Sequence, residues 1–216
     1  MKRFFWVFWV LIFGGFLSSC SRTTEEAATR SQADPVLRER REKDQSFKSD
    51  RNSPIPSEDR ARFRGLAYFD INPSLKFRVK LNRNPAPQTL RLGTNTGEVR
   101  SALRYGYFEF QVEGQDCRLQ VYRVEDTPSS GGASLFIPFR DATTGKETYA
   151  SGRYIDLTEN TTGYYDLDFN RAYNPWCAYG RGFSCPLPPA ENTLPAPIRA
   201  GEKIYPLAKE HAPLGG

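Results

Sequence analysis

FEFQVEGQDCRLQV, residues 108–121, is the stretch whose reading decides the fold. Phe108, Phe110 and Val112 alternate with polar residues, and Cys117, Leu119 and Val121 do the same. A period of two puts each apolar set on one face of a strand. Glu113-Gly114-Gln115-Asp116 lies between the two sets and has turn chemistry, so the segment predicts an antiparallel hairpin with one buried face.

Upstream, Leu75, Phe77, Val79 and Leu81 alternate with Lys76, Arg78, Lys80 and Asn82, the pattern of another half-buried strand. Further strands are predicted at Leu90–Gly93, Val99–Tyr105, Ser134–Phe139, Arg153–Leu157 and Tyr164–Phe169. About eight short antiparallel strands define a mainly β domain, either a small closed, split-barrel-like β-barrel or a sandwich. No strand alternates with a helix, which argues against a parallel Rossmann-type sheet. The 15 Phe and 11 Tyr also favour strands.

Before the strands the pattern is different. Asp34 is placed as an N-cap with Pro35 at the first helical position, and the charged run to Lys48 has few apolar contacts besides Phe47. This predicts a mostly solvated helix pinned by Phe47. A second short helix is predicted from Ser57 to near Gly65, burying Phe63 and Leu66.

Residues 1–20, MKRFFWVFWVLIFGGFLSSC, carry an export signal: Lys2 and Arg3, an apolar run from Phe4 to Phe16, then small residues before Cys20. LSSC resembles the lipobox of bacterial lipoproteins, which implies cleavage after residue 19 and a diacylglycerol on the Cys20 thiol. Several acyl chains on one residue make a stable membrane anchor. The expected address is the cell envelope; in a Gram-negative source, Ser21 after the cysteine resembles outer-membrane sorting, facing the periplasm. Residues 20–33 then form a polar tether reaching about 20 Å, 34–205 a single β-rich domain, and 206–216 a loose tail.

The net charge is +5, and removing Lys2 and Arg3 brings it to +3. So mild a balance predicts neither a nucleic-acid groove nor a polybasic membrane patch. A monomer is expected.

The last third is chemically denser. It contains PFRDATTGKETYASGRYIDL (138–157), YYDLDFNRAYNPWCAY (164–179) and SCPLPPAENTLPAPIRAGEK (184–203). With FRGLAYF (63–69), these blocks closely resemble the bacterial and archaeal family called domain of unknown function 1684 over about residues 36–203. The family is uncharacterised, so the resemblance implies no activity. It implies a pattern through Pro138–Asp141, Tyr149, Gly152–Tyr154, Asp168–Asn170, Tyr173–Pro175, Cys177, Cys185-Pro186, Pro188-Pro189 and Glu191-Asn192. Ala150-Ser151 departs from it, where the family resembles a glycine pair. Members without an export signal resemble this chain in their two cysteines, which weighs against a purely extracytoplasmic disulfide.

With Cys20 acylated, Cys117, Cys177 and Cys185 remain. Cys117 falls on the apolar face of its strand and is assigned to the core. Cys177 and Cys185 close a nine-residue loop, and a disulfide there would stabilise by about 2.6 kcal/mol through loop entropy. Two structural thiols, or a nucleophile or metal role, are the alternatives. His211 in the tail is the single histidine, so a Cys-His catalytic pair lacks its base, and no second cysteine pair completes a zinc site. No metal or cofactor is assigned.

The carboxylates Asp156, Asp166 and Asp168 are assigned to solvated strand edges, with Arg153 and Arg171 near enough in sequence to pair with them. The alternatives are a Ca²⁺ site from Asp168, Asn170 and a backbone carbonyl, which has no loop motif behind it, and a paired-carboxylate glycosidase, whose required separation nothing in the sequence fixes. Five prolines between Cys185 and Pro197 predict an extended strap. A strap over a barrel mouth would give Arg140, Arg153, Tyr154, Arg171 and Tyr173, with Asp168, Asn170 and Asn174 beside them, a basic, aromatic pocket for a small anionic or planar ligand. The competing reading is that the arginines satisfy strap carbonyls. Two function classes follow: a lipid-anchored binding or structural module without catalysis, which is favoured, and an enzyme or flavin-type split-barrel binder.

Overall fold

The hairpin at 108–121 forms, and most of the molecule is built outward from it. The computed structural model describes residues 34–124 and 134–207. Its elements are α1 (Pro35–Ser49), β1 (Lys76–Lys80), β2 (Asn82–Gly93), β3 (Val99–Val112), β4 (Gln115–Val124), β5 (Ser134–Phe139), β6 (Arg153–Thr158) and β7 (Tyr164–Asp168). The signal expected at 1–19, Cys20, the expected tether and residues 208–216 lie outside the described residues. The chain divides into two compact units, one ending at Glu42 and the other running from Lys43.

In the first unit, α1 starts on Asp34, whose carboxylate accepts from the Val36 N–H at 2.8 Å, with Pro35 at the first helical position as predicted. The second half of the helix belongs to the larger unit. There Phe47 is buried edge-on against Tyr179, 5.0 Å between ring centres, in a minor core with Ile55, Phe63 and Tyr205. Leu207 packs against this cluster.

Two antiparallel sheets make up the rest: a five-stranded meander in the order β2-β3-β4-β5-β6, and the two-stranded pair β1-β7. Neither sheet closes on itself, so the closed barrel is corrected to two packed sheets, and seven described strands stand in place of about eight. The cause is local. β1 pairs with β7 rather than with the meander, and β6 ends its ladder on a single bridge between Tyr154 and Tyr173. The main core lies between the sheets, with Phe108, Leu119, Ile137 and Ile155 from the meander facing Val79 and Leu167 from the pair.

The two strands predicted at Val99–Tyr105 and Phe108–Val112 are one strand with a bulge. Between Arg104 and Gly106 the register slips against β4, moving the inward set from Leu103 and Tyr105 to Phe108 and Phe110. An odd step of three residues would otherwise turn one half of the strand inside out. Gly106 permits it, because a Cβ there would lie 2.5 Å from the Asn82 carbonyl oxygen. The hairpin turn is tighter than predicted. Val112 pairs with Gln115, leaving Glu113 (φ +50°) and Gly114 (φ +76°) as a two-residue turn.

The second predicted helix is not one. Residues 57–62 form successive turns, although Phe63 is buried as expected and Leu66 partly so. Eight residues hemmed between Pro56 and Gly65 (φ +112°) offer too few hydrogen bonds to offset helix nucleation.

The strap is extended, as predicted. Leu194, Ala196, Ile198 and Ala200 point into the main core, while Pro195, Pro197 and Arg199 alternate outward. Its upper part lies parallel to the end of β5, with Leu194 N–H donating to the Arg140 carbonyl at 2.8 Å and Arg140 N–H to that of Asn192 at 2.9 Å.

Candidate functional site

Sequence alternation makes the five-stranded sheet two-sided. Its inner face feeds the main core. On the outer face Leu92, Ala102, Tyr122, Phe136 and Tyr154 form a separate apolar cluster. Register brings distant residues together there: Leu92 of β2 opposes Arg100 of β3, and Phe136 of β5 opposes Asp156 of β6. The loop from Tyr173 to Pro186 stands over this floor. Together they enclose a cleft of about 660 Å³, walled by Tyr173, Trp176, Phe183 and Cys185.

The aromatic walls hold one another edge to face, with ring centres 4.8 Å apart for Phe136 and Tyr154, 5.7 Å for Tyr154 and Tyr173, and 5.3 Å for Trp176 and Phe183. Trp176 is 48% exposed, an unusual state for so large an apolar side chain, and it leaves the indole available at the cleft mouth. The Tyr154 hydroxyl donates to the Pro186 carbonyl and the Tyr173 hydroxyl to Asp156, which fixes both rings. On the far side of Tyr173 the Lys43 ammonium lies 5.0 Å from the ring centre.

Two opposite charges enter the cleft. The Arg100 guanidinium is exposed and donates to the Ser184 carbonyl at 2.9 Å. Asp156 is reached by solvent but sits in the concavity. The surrounding protein pushes its carboxyl above the usual carboxylate range, and the Tyr173 hydroxyl partly offsets this.

The cysteines close one wall. Cys177 and Cys185 are free thiols in hydrogen-bonding contact, and the Cys185 sulfur accepts from the Cys177 backbone N–H at 3.3 Å. The hydrogen bond from Cys177 brings Cys185 down to about 7 against the opposing effect of burial. Cys177 is pushed up correspondingly by its bond to Cys185 and by burial, so the pair holds its proton on Cys177. The Tyr149 hydroxyl lies 3.6 Å from the Cys177 sulfur, and burial pushes it up to about 12. Cys117 is buried in the main core.

Of the residues picked out from sequence, Tyr154, Asp156, Tyr173 and Cys185 line the cleft, and the remaining arginines, asparagines and aspartates lie elsewhere. Arg153 is 1% exposed in the interior, where it donates to the carbonyls of Ile198 (2.8 Å), Ala200 and Glu202 (3.2 Å) and pairs with Asp141 at 2.9 Å. Arg140 donates to the Pro188 carbonyl at 2.7 Å. For these two arginines the strap-carbonyl reading holds, because prolines leave an extended segment rich in acceptors and poor in donors.

Asp168 and Asn170 belong to the end of the β1-β7 pair. The Asp168 carboxylate caps a short turn through the Asn170 N–H at 3.0 Å, and Asn170 exchanges two hydrogen bonds with the Asn72 backbone. Arg171 is half-exposed beside Asp168, at 3.9 Å. Asn174 donates from its backbone to Glu202 and from its side chain to the Lys203 carbonyl. Asp166 is exposed and pairs with Arg78 at 3.0 Å. Arg100, Leu92 and Phe136 were missed, since only sheet register brings them to the cleft. Trp176 had a local signal: a tryptophan after Asn-Pro on a turn has no strand face to bury it.

The fold and cleft together define a two-sheet β protein with an aromatic recess on the outer face of its larger sheet. The chain belongs to the family described as protein of unknown function DUF1684, which matches residues 61–203. Among solved structures it is similar to an uncharacterised protein of Haloarcula marismortui known from solution NMR. That protein is 37% identical, with a TM-score of 0.60, over 85% of this chain and 97% of the other. Among curated proteins none matches. No helix among the described residues is long and apolar enough to cross a membrane.

Proposed function

We propose that this protein is a lipid-anchored binding module of the cell envelope, and that it holds a small planar, anionic ligand in the Tyr154–Tyr173 cleft. The observation that carries the binding role is the cleft itself: aromatic walls, a floor of apolar side chains, and one exposed guanidinium at the rim. Rings stack or meet edge to face on Trp176 and Phe183, and Arg100 supplies the charge that orients an anion. No catalytic step is required of such a site.

After removal of residues 1–19, Trp176 is the single tryptophan of the chain, so its fluorescence reports on the cleft mouth alone. Titrating the processed, detergent-solubilised protein with flavin mononucleotide, a planar anion, should quench that emission. Arg100→Ala should weaken the effect at least tenfold without shifting the melting temperature, because Arg100 is exposed. Absence of quenching by the flavin at millimolar concentration, or equal quenching in Arg100→Ala, would remove the anion-binding role.

The anchoring rests on the resemblance of Leu17-Ser18-Ser19-Cys20 to a lipobox, and the expected membrane in a Gram-negative cell is the outer one, from its periplasmic face. Cys20→Ser should abolish incorporation of labelled palmitate and leave an uncleaved precursor. Palmitate labelling equal to that of the unaltered protein would overturn it.

A further inference from the structure

We propose that Cys185 and Cys177 form a redox-active dithiol that exchanges with low-molecular-weight disulfides entering the cleft. The inference rests on the reading of the cleft as a ligand site and names the chemical class it would serve. Its geometry is already assembled. Cys185 lines the cleft, its sulfur held by the Cys177 N–H at 3.3 Å and by contact with the Cys177 thiol. Arg100 lies close enough to favour a negative charge on that sulfur. Cys177 stands behind it with the Tyr149 hydroxyl at 3.6 Å. The Cys185 thiol is lowered to about 7, close to the value at which an attacking thiol is most effective near neutral pH.

The exchange balances in two steps. The Cys185 thiolate attacks one sulfur of RS–SR; a Cys185–SR bond forms, the RS–SR bond breaks, and RS⁻ leaves to take a proton from solvent. Cys177 then gives up its proton and attacks the Cys185 sulfur. The Cys177–Cys185 bond forms and the second RS⁻ leaves, protonated in turn. The protein loses two electrons and the small disulfide gains them, yielding two RSH per chain. In the reverse direction two thiols reduce the pair. Cys117, buried in the core, takes no part and serves as an internal control.

The test uses the reduced, processed protein in detergent, with Cys20 blocked by acylation, and two probes: bis(2-hydroxyethyl) disulfide, which is neutral, and glutathione disulfide, which is anionic. Either probe should release two thiols per chain, and non-reducing peptide mapping should find Cys177 joined to Cys185 with Cys117 free. Cys177→Ser should stop at one released thiol and hold a mixed disulfide on Cys185. Cys185→Ser should react at least tenfold more slowly. If either variant fails to fold, the stoichiometry and mapping of the unaltered protein still decide. Release of no thiol from the folded protein with either probe, or mapping of the first adduct to Cys177, overturns the dithiol. Reaction with the neutral probe but no preference for glutathione disulfide supports the dithiol and removes the anion-selective cleft.

Discussion

Arg153→Ala is expected to destabilise the protein by about 3–5 kcal/mol, the range found when one partner of a buried ion pair is deleted. Three strap carbonyls lose their donor, and Asp141 is left charged in the interior with only Thr143 and the Ile198 N–H to solvate it. The guanidinium also packs 5.2 Å from the Phe139 ring centre, so its removal opens a void beside the core. Arg153→Met fills that void but leaves the charge on Asp141 uncompensated, and it should recover only part of the loss. Combining Arg153→Met with Asp141→Asn should recover more than the two effects predict separately, the sign of a coupled pair. Arg171→Ala should lie within about 0.5 kcal/mol of the parent, since that residue is half-exposed. Chemical denaturation of these four variants and of Asp141→Asn alone checks the order and the coupling. A loss below about 1 kcal/mol for Arg153→Ala would mean that the strap stays docked without its arginine.

That contrast marks the limit of what the sequence discloses. Period-two patterning gave β1 and the 108–121 hairpin nearly residue for residue, because these strands alternate buried and more exposed positions; β5 is instead a short apolar run, buried on both faces. It divided β3 in two because the bulge at Tyr105–Gly106 breaks the period, although the hydrogen-bonded strand continues through it. It favoured a barrel because closure is the simplest way to protect many edges. The folded chain instead pairs β1 with β7 and lays a proline-rich strap along β5, a solution that local patterning does not encode.

The site was legible in part for a related reason. Arginine near prolines has two uses, binding an anion or satisfying carbonyls, and composition does not separate them. Depth does: Arg153 is at 1% exposure and Arg100 faces solvent. Five prolines in one strap do carry a signal, since each removes an N–H and keeps a carbonyl, so donors must come from outside the strap. Tyr154 and Tyr173 were found because both lie in the dense polar blocks. Arg100 and Leu92 lie more than fifty residues before Tyr154, and only the pairing order of the meander, from β2 to β6, brings them to the same face as it.

Phe169→Ala should cost about 3–5 kcal/mol, the range for truncating a buried phenylalanine. Phe169 is fully buried where β7 ends, and its ring meets three others, at 6.1 Å (Phe77), 5.6 Å (Phe110) and 5.4 Å (Phe139) between centres. Those partners come from β1, β3 and β5, so the residue ties the two-stranded pair to the meander. Deleting the ring leaves a cavity that the flanking rings fill poorly, because each is held by its own strand. Phe169→Leu keeps most of the volume and should cost under half as much. A chain of this size loses roughly 2–4 °C of melting temperature per kcal/mol, so the alanine variant should melt about 6–20 °C lower. The cleft is built on the opposite face of the meander, and its Trp176 emission in the folded Phe169→Ala protein should match that of the parent. A melting shift under about 3 °C would mean that the two sheets are held together chiefly by the strap.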